Sequence, residues 1–241
     1  MLAYAARLGY GPLSVRVAET MHWRAGTPAP PGRTVFGGAL PVVSAEGIDW
    51  SCPRLDATGH WHPVVAALPA TILHEDPAGR IEWTCFCPAA RTAVRLAGHH
   101  YAGSGYAERL VMTLPAAQLP LRELHWGRFI ADTQSCVWIR WHGPVERSWC
   151  YHNGQPVAAC APDLHELAWD GHRLQLDPGA IIRSGRITET SFRDLPRWLH
   201  GLLPAAARKF DETKWCSPGV LTDAAGARHS GWAIHEIVRF P

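Results

Sequence analysis

Lysine and asparagine are nearly absent from this chain of 241 residues: Lys209 and Lys214 are its only lysines and Asn153 its only asparagine. Both types have A-rich codons, whereas the abundant Ala, Gly, Pro, Arg and Trp do not, so the scarcity reflects a GC-rich coding background and not selection for an arginine-rich surface. Charge is also sparse, at 18% of residues with a formal net of +2. The arginines stand singly among apolar residues, with no stripe to follow a phosphate backbone, which excludes nucleic acid as an expected partner. No apolar run approaches the roughly 18 residues of a membrane helix, so no membrane span is expected. The first residues have no basic n-region and are interrupted by Arg7, unlike a secretory signal. Seven cysteines are an odd number without framework spacing, as expected of reduced thiols in a cytoplasmic protein. Paired CxxC, HExxH, a GxSxG elbow, a P-loop and a Rossmann fingerprint are all missing. Despite 14 histidines, the nearest approaches to a metal pair, His60-x-His62 and His99-His100, have no evident further ligand, and neither a metal nor another cofactor is expected.

What is present is a high apolar share, 47%, with 12 Trp, 22 Gly and 20 Pro. Short alternating runs are punctuated by turn signals such as Asp76-Pro77-Ala78-Gly79, His152-Asn153-Gly154 and Asp177-Pro178-Gly179. This pattern predicts an all-β antiparallel barrel, or a pair of barrels, with strands at 14–24, 33–43, 80–86, 93–98, 105–114, 121–130, 136–142, 148–152, 164–169, 172–176, 180–188 and 231–240. The exception is 191–210, where Leu195, Trp198, Leu199 and Leu202 recur at helical spacing and predict one short helix near 191–203. Residues 25–32, rich in Pro and Gly, read as a loop or flap. A soft boundary near 88–91 divides the chain into a β subdomain, 1–90, and a β-barrel, 91–241.

Residues two apart on a strand share a face. Over 105–114 this sorts Glu108 into a row with Tyr106, Leu110, Met112 and Leu114; over 231–240 it sorts Glu236 with Trp232, Ile234, Val238 and Phe240. A carboxyl group in an apolar row loses solvation in its charged form and can stay protonated as a general acid. The competing reading is a buried ion pair with one of the many arginines. His125-Trp126-Gly127 places an acid/base group beside an aromatic plane, with a glycine permitting close approach. Trp138, Arg140 and His142 share one strand face, opposite Val137, Ile139 and Trp141, and Tyr151 follows on the next strand. Aromatic rows of this kind build a core or line a cavity. Cys85-x-Cys87 on an extended strand places both thiols on one face, read as core.

Three segments, Gly103-Ser-Gly-Tyr-Ala-Glu108, His125-Trp-Gly-Arg128 and Gly231-Trp-Ala-Ile-His-Glu236, resemble the lipocalin-like superfamily that includes carotenoid 1,2-hydratase and the AttH-like proteins, with related lipocalin-like cyclases. The resemblance covers mainly 93–141 and the C-terminal strand. In the hydratases the acidic residue and an Asn-Trp-Gly stand nearly together, whereas here a strand separates Glu108 from His125-Trp126-Gly127, and His125 replaces the asparagine. The resemblance implies a lipocalin-like barrel, with the first 90 residues a reduced half-barrel.

The expected function is that of an enzyme, hydratase, cyclase or isomerase in type, acting without a cofactor on a hydrophobic unsaturated small molecule in secondary metabolism. Glu108, His125 and Glu236 are its candidate catalytic residues. Tyr106, Trp126, Trp138, Arg140, Tyr151 and Trp232 are candidates for substrate binding. The alternative is a non-catalytic carrier of a lipophilic small molecule. A third possibility, a docking protein with a Trp-rich surface, predicts exposed tryptophans.

Overall fold

The computed structural model describes residues 1–10, 13–24, 32–115, 118–158, 163–190, 193 and 207–240. All the regular structure is antiparallel β, apart from the single 3-10 turns Pro53–Leu55 and Ala207–Lys209 among the described residues. The helix expected near 191–203 and the loop at 25–31 fall outside them, Arg193 excepted.

Three sheets form in chain order. The first contains β1 (Leu2–Tyr10), β2 (Leu13–Met21) and β3 (Arg33–Phe36). The second contains β4 (Val42–Val43), β5 (Ile48–Cys52), β6 (Ala57–Pro63), β7 (Thr71–Asp76), β8 (Gly79–Leu96) and β9 (His99–Met112). The third contains β10 (Glu123–Ala131), β11 (Ser135–His142), β12 (Arg147–His152), β13 (Gln155–Pro156), β14 (Glu166–Trp169), β15 (His172–Leu176), β16 (Ala180–Arg186), β17 (Asp211–Thr222) and β18 (Arg228–Arg239). The two strands read at 80–86 and 93–98 are one, β8, which also runs through the boundary placed near 88–91. Its hairpin partner β9 pairs with it from Met112 to His99.

A nine-stranded sheet with the usual twist cannot stay flat. Its strand order starts with β13 and β12 and ends with β15 and β14, yet Cys150 of β12 and Leu167 of β14 share one buried cluster with Phe129, Trp138 and Trp169. The ring of His152 also lies 5.2 Å from that of Trp169 and 4.8 Å from that of His172. The sheet is therefore curled on itself into a half-barrel, and these large side chains fill its interior. Its outer face packs against the second sheet: Leu73, Ile81, Trp83 and Cys85 meet Leu124, Trp126, Val137, Ile139, Trp141 and Tyr151. The first sheet bridges the other two, Ala18 packing with Trp50 and Leu96, and Leu2 and Met21 with Ile182.

One local expectation is corrected. The register shifts between Cys85 and Cys87, with Cys85 opposite Glu108 and Cys87 opposite Ala107. This bulge at Phe86 turns the two thiols apart, as an extra residue in one strand does. Cys85 packs with Trp83 between the second and third sheets, and Cys87 with Ile48 and Ala90 in a separate cluster. Cys52, Cys85, Cys87, Cys136 and Cys216 are free thiols.

Candidate functional site

Strand alternation on β10, β17 and β18 places Trp126 and Arg128, Glu212 and Lys214, and Glu236 on the outer face of the half-barrel, toward the other two sheets. Register aligns them, since Trp126 pairs with Glu236 and Glu236 with Lys214. Arg183 of β16 stands opposite Lys214 across a register shift. The first sheet contributes Glu19 and Tyr4, and the second contributes Glu108 and Tyr106.

These groups are joined in pairs across the sheets. Glu108 accepts a hydrogen bond from Trp83 Nε1 at 2.7 Å and forms an ion pair with Arg128. The Arg128 guanidinium lies 4.4 Å from the Tyr106 ring centroid and 5.4 Å from that of Trp126. Lys214 is bonded to Glu236. Arg183 bridges Glu19 and Glu212, the latter at 3.4 Å, and Thr190 Oγ1 donates to Glu212 at 2.8 Å. The Tyr4 ring centroid lies 5.4 Å from Arg183 and 5.6 Å from Lys214. The Arg128 and Lys214 side chains are only 3% and 7% exposed, against 23% and 20% for Glu108 and Glu236. Both carboxylates are thus more exposed than the cations they pair with. Beyond Glu108, Leu110 and Met112 at the unpaired edge of β9 are exposed, as is Tyr4 on β1.

Burial dominates the electrostatics. It lowers the Lys214 ammonium to about 7, although Glu212 opposes the shift. It raises the Glu19 carboxyl to about 7 against the pull of Arg183. The phenols of Tyr4 and Tyr106 are both pushed up by desolvation. Two buried donors beside this group, Trp126 Nε1 and Arg128 Nε, have no hydrogen-bond partner among the described residues.

Of the residues singled out from sequence, Glu108, Glu236, Tyr106 and Trp126 come together here, and Tyr151 closes the apolar end, its ring 5.9 Å from Trp83 and its hydroxyl 3.3 Å from Thr71 Oγ1. The apolar-row reading of both glutamates changes: each is in an ion pair with a buried cation, which favours the ionised form and works against a resting protonated acid. His125, Trp138 and Arg140 point to the opposite, inner face of the half-barrel. There His125 Nε2 meets Glu123 at 2.7 Å, Arg140 meets Glu146 at 3.6 Å, and the Trp138 indole lies directly over Gly127, leaving no space for a Cβ. The glycine thus receives a tryptophan of its own chain. Trp232 lies within β18, opposite Ile130 and Pro218, and is 52% exposed.

The sequence reading missed Arg128, Lys214, Arg183, Glu212, Glu19 and Tyr4. Arg128 was reachable, since it shares the alternation row of Leu124 and Trp126. The inner face holds one more polar pair, Ser217 Oγ and His235 Nε2 at 2.9 Å, both buried. Burial lowers His235 to about 4.

The architecture defines the class: an all-β antiparallel protein whose main sheet is strongly curled into a half-barrel. A solved structure assigned as an AttH protein from Nitrosomonas europaea shares this fold, with a TM-score of 0.57 and 8% sequence identity over 98% of this chain and 85% of that one. No family model and no curated protein matches the sequence.

Proposed function

We propose that the region between the three sheets binds a small, largely apolar molecule, and that Lys214 and Glu236 move a proton to or from it in a hydration, cyclisation or isomerisation. The observation that carries this reading is the convergence of ionisable and aromatic groups from all three sheets on one buried place, with a lysine among them brought to about 7. A general acid or base works best when its pKa lies near the operating pH, and a lysine can reach that range by burial whereas an arginine cannot. Lys214 and Glu236 share hydrogen-bond reach, so one proton can be held by the pair and handed to the ligand. Tyr106, Trp126 and Trp83 offer π faces for developing positive charge, and the unpartnered Trp126 Nε1 suits a ligand oxygen. The pairing of Glu108 with Arg128 and Trp83 gives that carboxylate an orienting role.

The same pairing supports the second reading, a carrier, because a site whose carboxylates are all neutralised binds without reacting. Deuterium separates the two. Ligand co-purifying with the protein is identified by mass spectrometry and incubated with it in D2O. Solvent deuterium should enter a carbon of the ligand with the wild-type protein and not with Lys214→Met, which still retains the ligand. A wild-type protein that holds its ligand without exchange or conversion is a carrier.

A further inference from the structure

At one end of the half-barrel interior, away from the site above, Glu123 and His125 lie two apart on β10, and the register places His142 of β11 directly opposite Glu123. One donor atom from each of these three side chains lies within 4.8 Å of the others. The two imidazole centroids are 5.1 Å apart. We propose that Glu123, His125 and His142 form a binding site for a first-row divalent transition metal ion of the zinc type.

Two nitrogens and one carboxylate oxygen are the donor set of zinc and its neighbours and not that of magnesium or calcium, which take oxygen. Three protein ligands leave a fourth position open. The surrounding contacts have the form that metal ligands need. His142 Nδ1 is held by Glu146 at 3.1 Å, an arrangement that fixes the ring and raises the basicity of the other nitrogen. That other nitrogen, Nε2, is buried and has no hydrogen-bond partner among the described residues, a state that calls for something to satisfy it. Glu123 uses Oε2 for Arg239 Nε at 2.8 Å and turns Oε1 to His125. Glu146 also faces Arg140, so two carboxylates stand against two guanidiniums around the imidazoles. The side chains of His125, His142 and Glu123 are 13%, 22% and 28% exposed, which leaves the ion a path from solvent.

The test uses tag-free full-length protein, stripped with a chelator and titrated with Zn2+ and, separately, with Co2+, whose visible bands report nitrogen ligation and coordination number. One ion per chain is expected. The site should be lost in His142→Ala and in His125→Ala, and Glu146→Gln should weaken it by about 10–100-fold. The double variant His60→Ala/His62→Ala, at an exposed histidine pair, should leave it unchanged. Far-UV circular dichroism establishes that each variant is folded, and Glu123→Gln, which keeps the shape of the side chain, serves if a histidine variant is not. Binding that survives loss of His125 and His142, or that disappears with His60 and His62, overturns the proposal. So does a wild-type protein that binds Zn2+ no more tightly than Mg2+.

Discussion

A buried lysine and a buried arginine do different things. Arg128 and Arg183 remain charged and serve as fixed counterions for Glu108, Glu19 and Glu212, whereas Lys214 can release its proton near neutrality. In a chain with only two lysines the signal is visible in composition, but only the neighbours of Lys214 give it meaning. His235 shows the same physics with a measurable sign. Its pKa falls from 6.5 to about 4 because burial disfavours the imidazolium. The unfolded chain therefore takes up a proton at this residue between pH 6.5 and 4 while the folded chain does not, so the stability contribution present above pH 6.5 is lost as the pH falls through that window. At pH 5, about 1.5 units below the unfolded value, the loss relative to pH 7 should be about 2 kcal/mol. Urea unfolding of wild type and His235→Gln at both pH values checks this: the wild-type protein should lose about 2 kcal/mol more than the variant.

At the level of strands, alternation put Glu108 with Tyr106 on one face of β9 and Glu236 with Ile234 on one face of β18, and these residues lie toward the contact between the sheets, whereas Leu110, Met112 and Trp232 of the same rows are exposed. It separated Val137, Ile139 and Trp141 from Trp138, Arg140 and His142, as the two core clusters require. It failed where a strand carries an irregularity, as at the Phe86 bulge, and where the apolar pattern is broken. β17 was overlooked because Pro218 and Gly219 interrupt it, and with it went Glu212 and Lys214. β10 and β11 also give a sharp prediction about packing. At Gly127 a Cβ would collide with the Trp138 indole, which is 2% exposed and cannot move aside. Gly127→Ala should destabilise the protein by about 1–3 kcal/mol, the usual cost of overpacking a tight core. The denaturation midpoint should fall with little change in the slope of the transition.

Across the whole molecule, the sheets are joined by an apolar core, by the ion pairs Glu19–Arg183 and Arg128–Glu108, and by hydrogen bonds such as that from Arg147 to the Leu73 carbonyl. The aromatic excess is mostly internal: Trp50, Trp83, Trp126, Trp138, Trp141 and Trp169 are buried, and Trp232 is the exposed one among the described tryptophans. Iodide should therefore quench only a minor part of the intrinsic fluorescence, and Trp232→Phe should remove much of that part. Strong quenching that persists in the variant would return the Trp-rich docking surface to consideration. The sequence alone determined the all-β class, the turns and most strand faces, because these follow from a period of two and from local Gly, Pro and Asn chemistry. It could not determine which faces meet. The grouping of Lys214 with Glu236, of Glu108 with Arg128, and of His142 with Glu123, residues 19 to 22 apart, depends on strand register, on the packing of one sheet against another and on the curl of the large sheet. Those are set by packing among three sheets and leave no trace in any single segment.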